Sequence, residues 1–210
     1  PALRFSVTGR RGEYPGLTLP LLGRHQAVNA ATAIGALEVL ADAGRIDLDP
    51  ATVARGLAAV QCPARMEVVS ASPLILLDGA HNVISMRSVC AVLDEHLAGR
   101  RIVLLFGAAR DKDIAGIVGH LDKRIDHWLL VDLPGARAAR ADELRTRLDE
   151  AGVRPGPERL VEVHATPAAA LAAALERADT NDRIVVFGSF LTVADVLASR
   201  RTASGSRTPS

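Results

Sequence analysis

Long apolar runs are missing from this 210-residue chain, and so is an excess of charge of either sign. No run reaches the roughly 20 residues of a membrane-spanning helix, and no signal-peptide pattern opens the sequence. Against 25 Lys and Arg stand 24 Asp and Glu, a net charge of +1, which gives nucleic acid no electrostatic hold as a main partner. There are only two cysteines, Cys62 and Cys90, and they lack metal or redox spacing; reduced thiols in a cytoplasmic protein are the simplest account. Neither a Gly-x-x-x-x-Gly-Lys-Ser/Thr phosphate loop nor a Gly-x-Gly-x-x-Gly fingerprint occurs, so a dinucleotide oxidoreductase has little to stand on. Ser189 has no Gly-x-Ser-x-Gly elbow around it, which removes support for a nucleophilic triad. No internal repeat is present. The rest is an ordinary globular composition, 49% hydrophobic and 23% charged, long enough for one large domain or two small ones. The chain opens on Pro1 rather than Met, which leaves an upstream portion open.

The stretch that organises the remainder is Pro73 to Asn82. Leu74 to Leu77 is wholly apolar, as suits a strand buried on both faces of a parallel sheet. It gives way at once to Asp78-Gly79-Ala80-His81-Asn82, after which Met86, Val89, Cys90, Leu93 and Leu97 recur at helical spacing. A strand, a polar turn and a helix start in that order put polar groups at the carboxyl edge of a sheet, where open α/β folds bind ligands. The free N–H groups and dipole of a helix start favour anions.

In chain order, residues 1–24 read as short extended pieces, with Tyr14-Pro15-Gly16 as a turn before Leu17 to Leu22. They are expected to end a sheet begun upstream. A helix from His25 to Ala43 follows, with Val28, Ala31, Gly35 and Val39 on its apolar face and close backbone packing at Gly35. A second helix starts at Asp49-Pro50 and carries Val53, Leu57 and Val60. Gln61 to Arg65 reads as an interdomain linker, giving domains 1–62 and 63–198. Beyond it strands are expected at 67–70, 74–77, 102–106, 128–131, 160–163 and 184–187. Helices are expected near 83–98, 113–122, 141–151, 166–178 and 191–199. Such alternation predicts a doubly wound, mostly parallel sheet with right-handed crossovers. Ser199 to Ser210, polar with Arg, Gly, Ser and Pro, reads as a disordered tail.

Five constellations could carry chemistry. Gln26 and Asn29, at i and i+3, share a helix side and could bond a purine edge; the plain alternative is a cap with first-turn solvation. Arg65, after a proline turn, is either solvated or a grip for phosphate in a hinge. Asp78 could accept from a ribose diol and His81 could donate to phosphate, or the turn is an Asx-turn with a helix cap. A zinc reading of Asp78 and His81 lacks a third nearby ligand, so no metal site is assigned. Phe106-Gly107 with Arg110-Asp111-Lys112-Asp113 is a second polar loop on the same expected edge, although Asp113 could simply be an N-cap. Phe187-Gly188-Ser189-Phe190 ends the last strand in the same manner, and alone it is only a turn.

Taken together and in order, Leu22-Gly-Arg-His-Gln26-Ala-Val-Asn29-Ala-Ala31, Pro63-Ala-Arg65-Met-Glu67, Asp78-Gly-Ala-His-Asn82 and Phe106-Gly107 with Asp111-Lys-Asp113 resemble the folylpolyglutamate synthase/dihydrofolate synthase family of the Mur ligase superfamily. The resemblance covers nearly all of residues 3–198 but only the later half of that architecture. It implies that residues 1–62 are the end of a central ATP-binding domain and 63–198 a Rossmann-like C-terminal glutamate ligase domain. The implied reaction belongs to folate and one-carbon metabolism. ATP phosphorylates a pterin-linked carboxylate, and the amine of L-glutamate displaces phosphate to form an amide. Substrates would be dihydropteroate or tetrahydrofolate glutamates, with ATP and Mg2+, in a cytoplasmic enzyme that is a monomer at full length. By position, Gln26 and Asn29 match the adenine side, Arg65 the phosphates, Asp78 the ribose, and His81 the terminal phosphate, with a catalytic role. Lys112 and Ser189 are candidates for glutamate recognition. Two positions depart from the family pattern, Ala64 where it reads Gly and Val83 where it reads Pro. The phosphate loop and magnesium ligands are expected upstream, so the chain alone is expected to be inactive. Domain closure about the linker is also expected. Alternatives are another Mur-type ligase acting on a cell-wall precursor or polyamide, and a non-enzymatic nucleotide-binding module.

Overall fold

The computed structural model describes residues 2–157 and 159–205, and no helix among them is long and apolar enough to cross a membrane. The chain separates into two compact units that divide between Arg65 and Met66.

The first unit pairs β1 (Leu3–Thr8) with β2 (Glu13–Leu19) as an antiparallel hairpin, followed by α1 (His25–Asp42) and α2 (Pro50–Ala58). Its core is Tyr14, Leu17, Ile34 and Val53, with Phe5, Val7, Leu48, Ala54 and Leu57 packed around them. Asp49 starts α2 by accepting from Thr52 N at 2.9 Å, with Pro50 at the first helical position. Three local expectations fail here. Tyr14-Pro15-Gly16 lies inside β2 and not at a turn; the register slips between Phe5 and Val7, and Gly16 takes φ +62° with its N–H bonded to Ser6 Oγ. A bulge of this kind tolerates proline within a strand. The reversal is at Gly9–Gly12 instead, closed by Gly9 N donating to Gly12 O at 2.9 Å.

The second failure is the face of α1. Val28 is 68% exposed and Val39 is exposed too, whereas the buried residues are Gln26, Ala30, Ile34 and Glu38. Apolar residues surround this helix on most sides, so their spacing does not single out a face. The buried stripe is selected by polar partners. Glu38, 1% exposed, accepts from Arg10 N, Arg11 N and Tyr14 Oη at 2.9–3.1 Å. Those N–H bonds, that of Arg11 first, hold its carboxyl below the usual carboxylate range. The third failure is Gly35, where a Cβ would meet nothing within 4 Å, so no close packing explains the glycine.

The second unit is a six-stranded sheet in the order β3 (Glu67–Ala71), β4 (Leu74–Leu77), β8 (Arg183–Phe187), β5 (Ile102–Phe106), β6 (His127–Val131), β7 (Leu160–His164). Only β3 runs antiparallel, at one edge; the other pairings are parallel. The helices are α3 (Val83–His96), α4 (Ile114–Leu121), α5 (Ala141–Glu150), α6 (Pro167–Arg177) and α7 (Phe190–Gly205). From β4 the chain steps one way across the sheet through α3, α4 and α5, then returns through α6 to insert β8 between β4 and β5. Right-handed crossovers therefore put α3–α5 on one face and α6 on the other, with α7 packed on α6. The residues Ile75–Leu77, Ile102–Phe106, Trp128–Val131 and Ile184–Phe187 are buried throughout, as a sheet covered on both faces requires. Met86, Val89, Cys90, Leu93 and Leu97, the expected face of α3, are buried.

The expectation of a disordered tail from Ser199 is corrected as far as Gly205, because α7 continues to that residue; 206–210 lie outside the described residues. Arg200 Nη2 donates to Val69 O at 3.0 Å, tying the extension to the β3 backbone, and Thr202 Oγ1 donates to Ala198 O. At the opposite, amino edge of the strands, Asp182 is buried. Burial alone would raise its pKa, but the guanidinium of Arg101 and the N–H of Asp179 outweigh it and hold the carboxyl below the usual range.

Candidate functional site

At the carboxyl edge of β4, β8 and β5, three loops are joined through their backbones. Asp78 N donates to Val186 O and Gly188 N to Ala80 O, both at 2.9 Å, which fastens the turn after β4 to the turn after β8. Gly188, at φ +105°, comes so close to the β5 loop that a Cβ there would lie 2.5 Å from Gly107 O. Gly107 is equally confined by Val131 and Thr192, and the buried Thr192 Oγ1 donates to its carbonyl at 3.1 Å. Glycine is required at both positions by this approach. The expected convergence of polar loops on one edge is therefore present.

Within it Asp78 is 6% exposed, and its carboxylate accepts from Met66 N at 2.9 Å and Ala80 N at 2.7 Å. The second of these bonds is the Asx-turn. His81 is half-buried, with Nδ1 2.9 Å from Gly79 O and its ring centroid 6.2 Å from that of Phe190. Asn82 caps α3 by accepting from Ser85 N at 2.8 Å, while Ser85 Oγ accepts from Asn82 N at 3.3 Å, a reciprocal capping box. Val83 thus occupies the first helical position without proline, in a helix start already fixed by its cap.

Ser189 lies just before α7, where its Oγ accepts from Leu191 N at 3.2 Å. Lys112 Nζ is 3.9 Å from Asp111 Oδ2, and Asp113 caps α4 by accepting from Gly116 N at 2.8 Å. The rest of that loop is tied to the segment after β6. Arg110 forks onto Glu143, Arg137 pairs with Asp111, and Ala139 N donates to Ala108 O. These exposed pairs fix loop shape more than they add stability.

In the first unit, Asn29 Nδ2 donates to Gln26 Oε1 at 2.9 Å, so the two amides do share a helix side. No side-chain cap closes the start of α1; Gln26 N and Ala27 N instead reach Gly23 O and Arg24 O. Arg65 is exposed, between two residues of left-handed backbone, Ala64 at φ +58° and Met66 at φ +45°. Ala64, where the family pattern reads glycine, thus holds a conformation that costs an L-residue about 1–2 kcal/mol. Sequence reasoning assigned no role to Phe190, Thr192 or Ser85. The signal for Ser85 was available in Asn82-x-x-Ser85, a cap pattern; nothing local marks Phe190 or Thr192. Among the described residues no group of three or more His, Cys, Asp or Glu side chains could hold a metal ion.

Comparison with known proteins follows the same lines. Over 193 residues the chain is 31% identical to the dihydrofolate synthase/folylpolyglutamate synthase of Escherichia coli K12, covering 92% of this chain and 42% of that one. It is 35% identical over 136 residues to the folylpolyglutamate synthase of Lacticaseibacillus casei, covering 65% of this chain and 32% of that enzyme. The structure of E. coli FolC in complex with DHPP and ADP matches with a TM-score of 0.79 at 30% identity, over 93% of this chain and 43% of that one. A bifunctional folylpolyglutamate synthase/dihydrofolate synthase with Mn, AMPPNP and L-glutamate bound matches with a TM-score of 0.76 at 31% identity, over 91% and 43%. The chain thus spans less than half the length of each of these relatives. Residues 64–190 match the family described as Mur ligase, glutamate ligase domain. The chain belongs to the Mur ligase family, and most of its second unit matches that family's glutamate ligase domain.

Proposed function

We propose that the complete protein is an ATP-dependent ligase that joins L-glutamate to dihydropteroate, to a folyl-glutamate, or to both. A carboxylate oxygen attacks the terminal phosphorus of ATP and ADP leaves. The glutamate amine then attacks the acyl carbon, phosphate leaves and an amide remains. The observation that carries this reading is the backbone-joined carboxyl edge of β4, β8 and β5, which lies within the Mur glutamate ligase domain and holds His81 and Ser189 on adjacent loops. The folate ligases among the relatives support the acceptor class.

The residues of this chain contribute position and charge, without a covalent nucleophile. In the first unit the hydrogen-bonded amides of Gln26 and Asn29 serve adenine, and Arg65 serves phosphate. In the second, the Asp78 carboxylate serves the ribose diol. His81 meets the terminal phosphate as a charge-stabilising catalytic group, and Lys112 and Ser189 serve the glutamate carboxylates. The chemistry of these donors suits nucleotide and amino acid. Among the described residues no cluster of His, Cys, Asp or Glu could hold Mg2+, and its ligands would lie elsewhere in the complete protein. With no phosphate-loop motif in its sequence, the 210-residue chain alone is expected not to turn over.

The test is ADP release by the complete gene product on addition of L-glutamate, with dihydropteroate compared against a muramyl acceptor. Glutamate-dependent release with the folate acceptor alone is expected, and His81→Ala should lower kcat. Release with the muramyl acceptor alone would replace this reading with the cell-wall one.

A further inference from the structure

Gly79, His81 and Phe190 form a three-part contact beside the candidate phosphate position. The Phe190 ring occupies the space where a side chain on Gly79 would begin: a Cβ there would stand 2.3 Å from Phe190 Cε1 and 2.6 Å from Cζ. The same ring is inclined at 53° to the His81 imidazole. The imidazole places Nδ1 2.9 Å from Gly79 O. A carbonyl oxygen only accepts, so Nδ1 carries the proton and Nε2 is the nitrogen turned to other partners. An unconstrained histidine side chain favours the opposite tautomer, with its proton on Nε2. The arrangement therefore works against the intrinsic preference of the ring.

We propose that Phe190 is a positioning residue, which confines Gly79 and the imidazole so that His81 is held as the Nδ1-protonated tautomer with Nε2 facing an anionic ligand. Only the identity of that ligand, a terminal phosphate, rests on the function proposed above. A consequence follows for charge. With Nδ1–H committed to Gly79, a neutral ring would present a lone pair to a phosphate oxygen, whereas the imidazolium presents a donor. The device also explains why the residue after Asp78 is glycine at a position where the turn itself imposes no positive φ.

The test uses the intact 210-residue chain. Long-range 1H–15N spectra of its six histidines, recorded with the rings neutral, report which nitrogen is protonated, and the His81 signals are assigned by their loss in His81→Gln. Wild-type His81 is expected to show the Nδ1-protonated pattern. Phe190→Ala is expected to lower the ratio of Nδ1–H to Nε2–H at least about fivefold, the equivalent of one net hydrogen bond, and Phe190→Tyr to restore it. Phe190 is 49% exposed, so its truncation should leave the fold intact, with amide shifts of β5 and β6 as the check. Phe190→Leu replaces Phe190→Ala if that check fails. A wild-type ring protonated on Nε2, or a ratio unchanged on truncating Phe190, overturns the proposal. The phosphate role fails separately: full activity of His81→Gln in the complete enzyme would remove it and leave the tautomer result standing.

Discussion

Replacing Asp78 separates its structural role from its proposed role at ribose, because the two predict different effects on the chain without nucleotide. Its carboxylate accepts from two backbone donors, Met66 N and Ala80 N, in a setting only 6% exposed. Asp78→Ala leaves both N–H groups without that acceptor. Each buried unpaired donor costs about 1–3 kcal/mol, so the sum is about 2–6 kcal/mol. Part is recovered by Met66, whose left-handed backbone is itself costly and can relax once the bond to Asp78 is gone. We expect a net loss of about 3 kcal/mol, which at a urea slope of about 2 kcal/mol per molar lowers the midpoint by about 1.5 M. Asp78→Asn keeps one acceptor oxygen but turns an NH2 toward the other donor, so it should lie between wild type and Ala. The assay is urea unfolding followed by fluorescence of Trp128, the sole tryptophan, fully buried in β6 of the same unit. If Asp78 acted on ribose alone, the midpoint without nucleotide would be unchanged. A shift below about 0.3 M in Asp78→Ala would refute the reasoning, since it corresponds to less than the cost of one unpaired donor.

Two further outcomes follow from the same unit. Gly188→Ala forces a Cβ against Gly107 O and the Phe106 ring at positive φ, and should destabilise by at least about 2 kcal/mol, read from the same urea curve; a wild-type midpoint would deny the close approach of the two loops. Burial, followed by the Arg101 guanidinium, holds the pKa of His127 below its ordinary value of 6.5. The folded chain therefore prefers the neutral ring and the unfolded chain binds the proton first. The stabilisation is full above the ordinary value and is lost as pH falls through the depressed folded one. Urea midpoints should drop as pH falls below the ordinary value of 6.5, and His127→Gln should flatten that drop. The lowered carboxyls of Asp94, Glu143 and Asp182 lose their share only in a more acidic window. An unchanged slope in His127→Gln would assign the drop to other groups.

The strands of the second unit were legible because their burial on both faces makes them short continuous apolar runs, and the polar residues after each run mark the carboxyl edge. The convergence of the loops of His81, Gly107 and Ser189 followed from topology alone. What escaped was set by partners distant in sequence. The buried side of α1 depends on N–H groups of the β1–β2 turn that claim Glu38, and no spacing of apolar residues around that helix carries this information. Phe190 read as the end of a turn before the helix expected at 191–199, since its value lies in the space beside Gly79. The early end assigned to α7 came from polar composition, whereas Arg200 reaches back to the backbone of β3.

The bond network of Glu38 has a consequence for how the first unit comes together. An isolated two-stranded hairpin is marginal in water, and the turn of this one takes its acceptor from a helix 27 and 28 residues further along. The reversal is therefore complete only when α1 has docked, and α1 buries a carboxylate only when the reversal is there to bind it. Each element therefore loses buried hydrogen bonds when the other is undocked, which couples their assembly. The two amide hydrogens of Arg10 and Arg11 act as a gauge of that assembly, protected from exchange with solvent when the helix is seated and released together when it leaves.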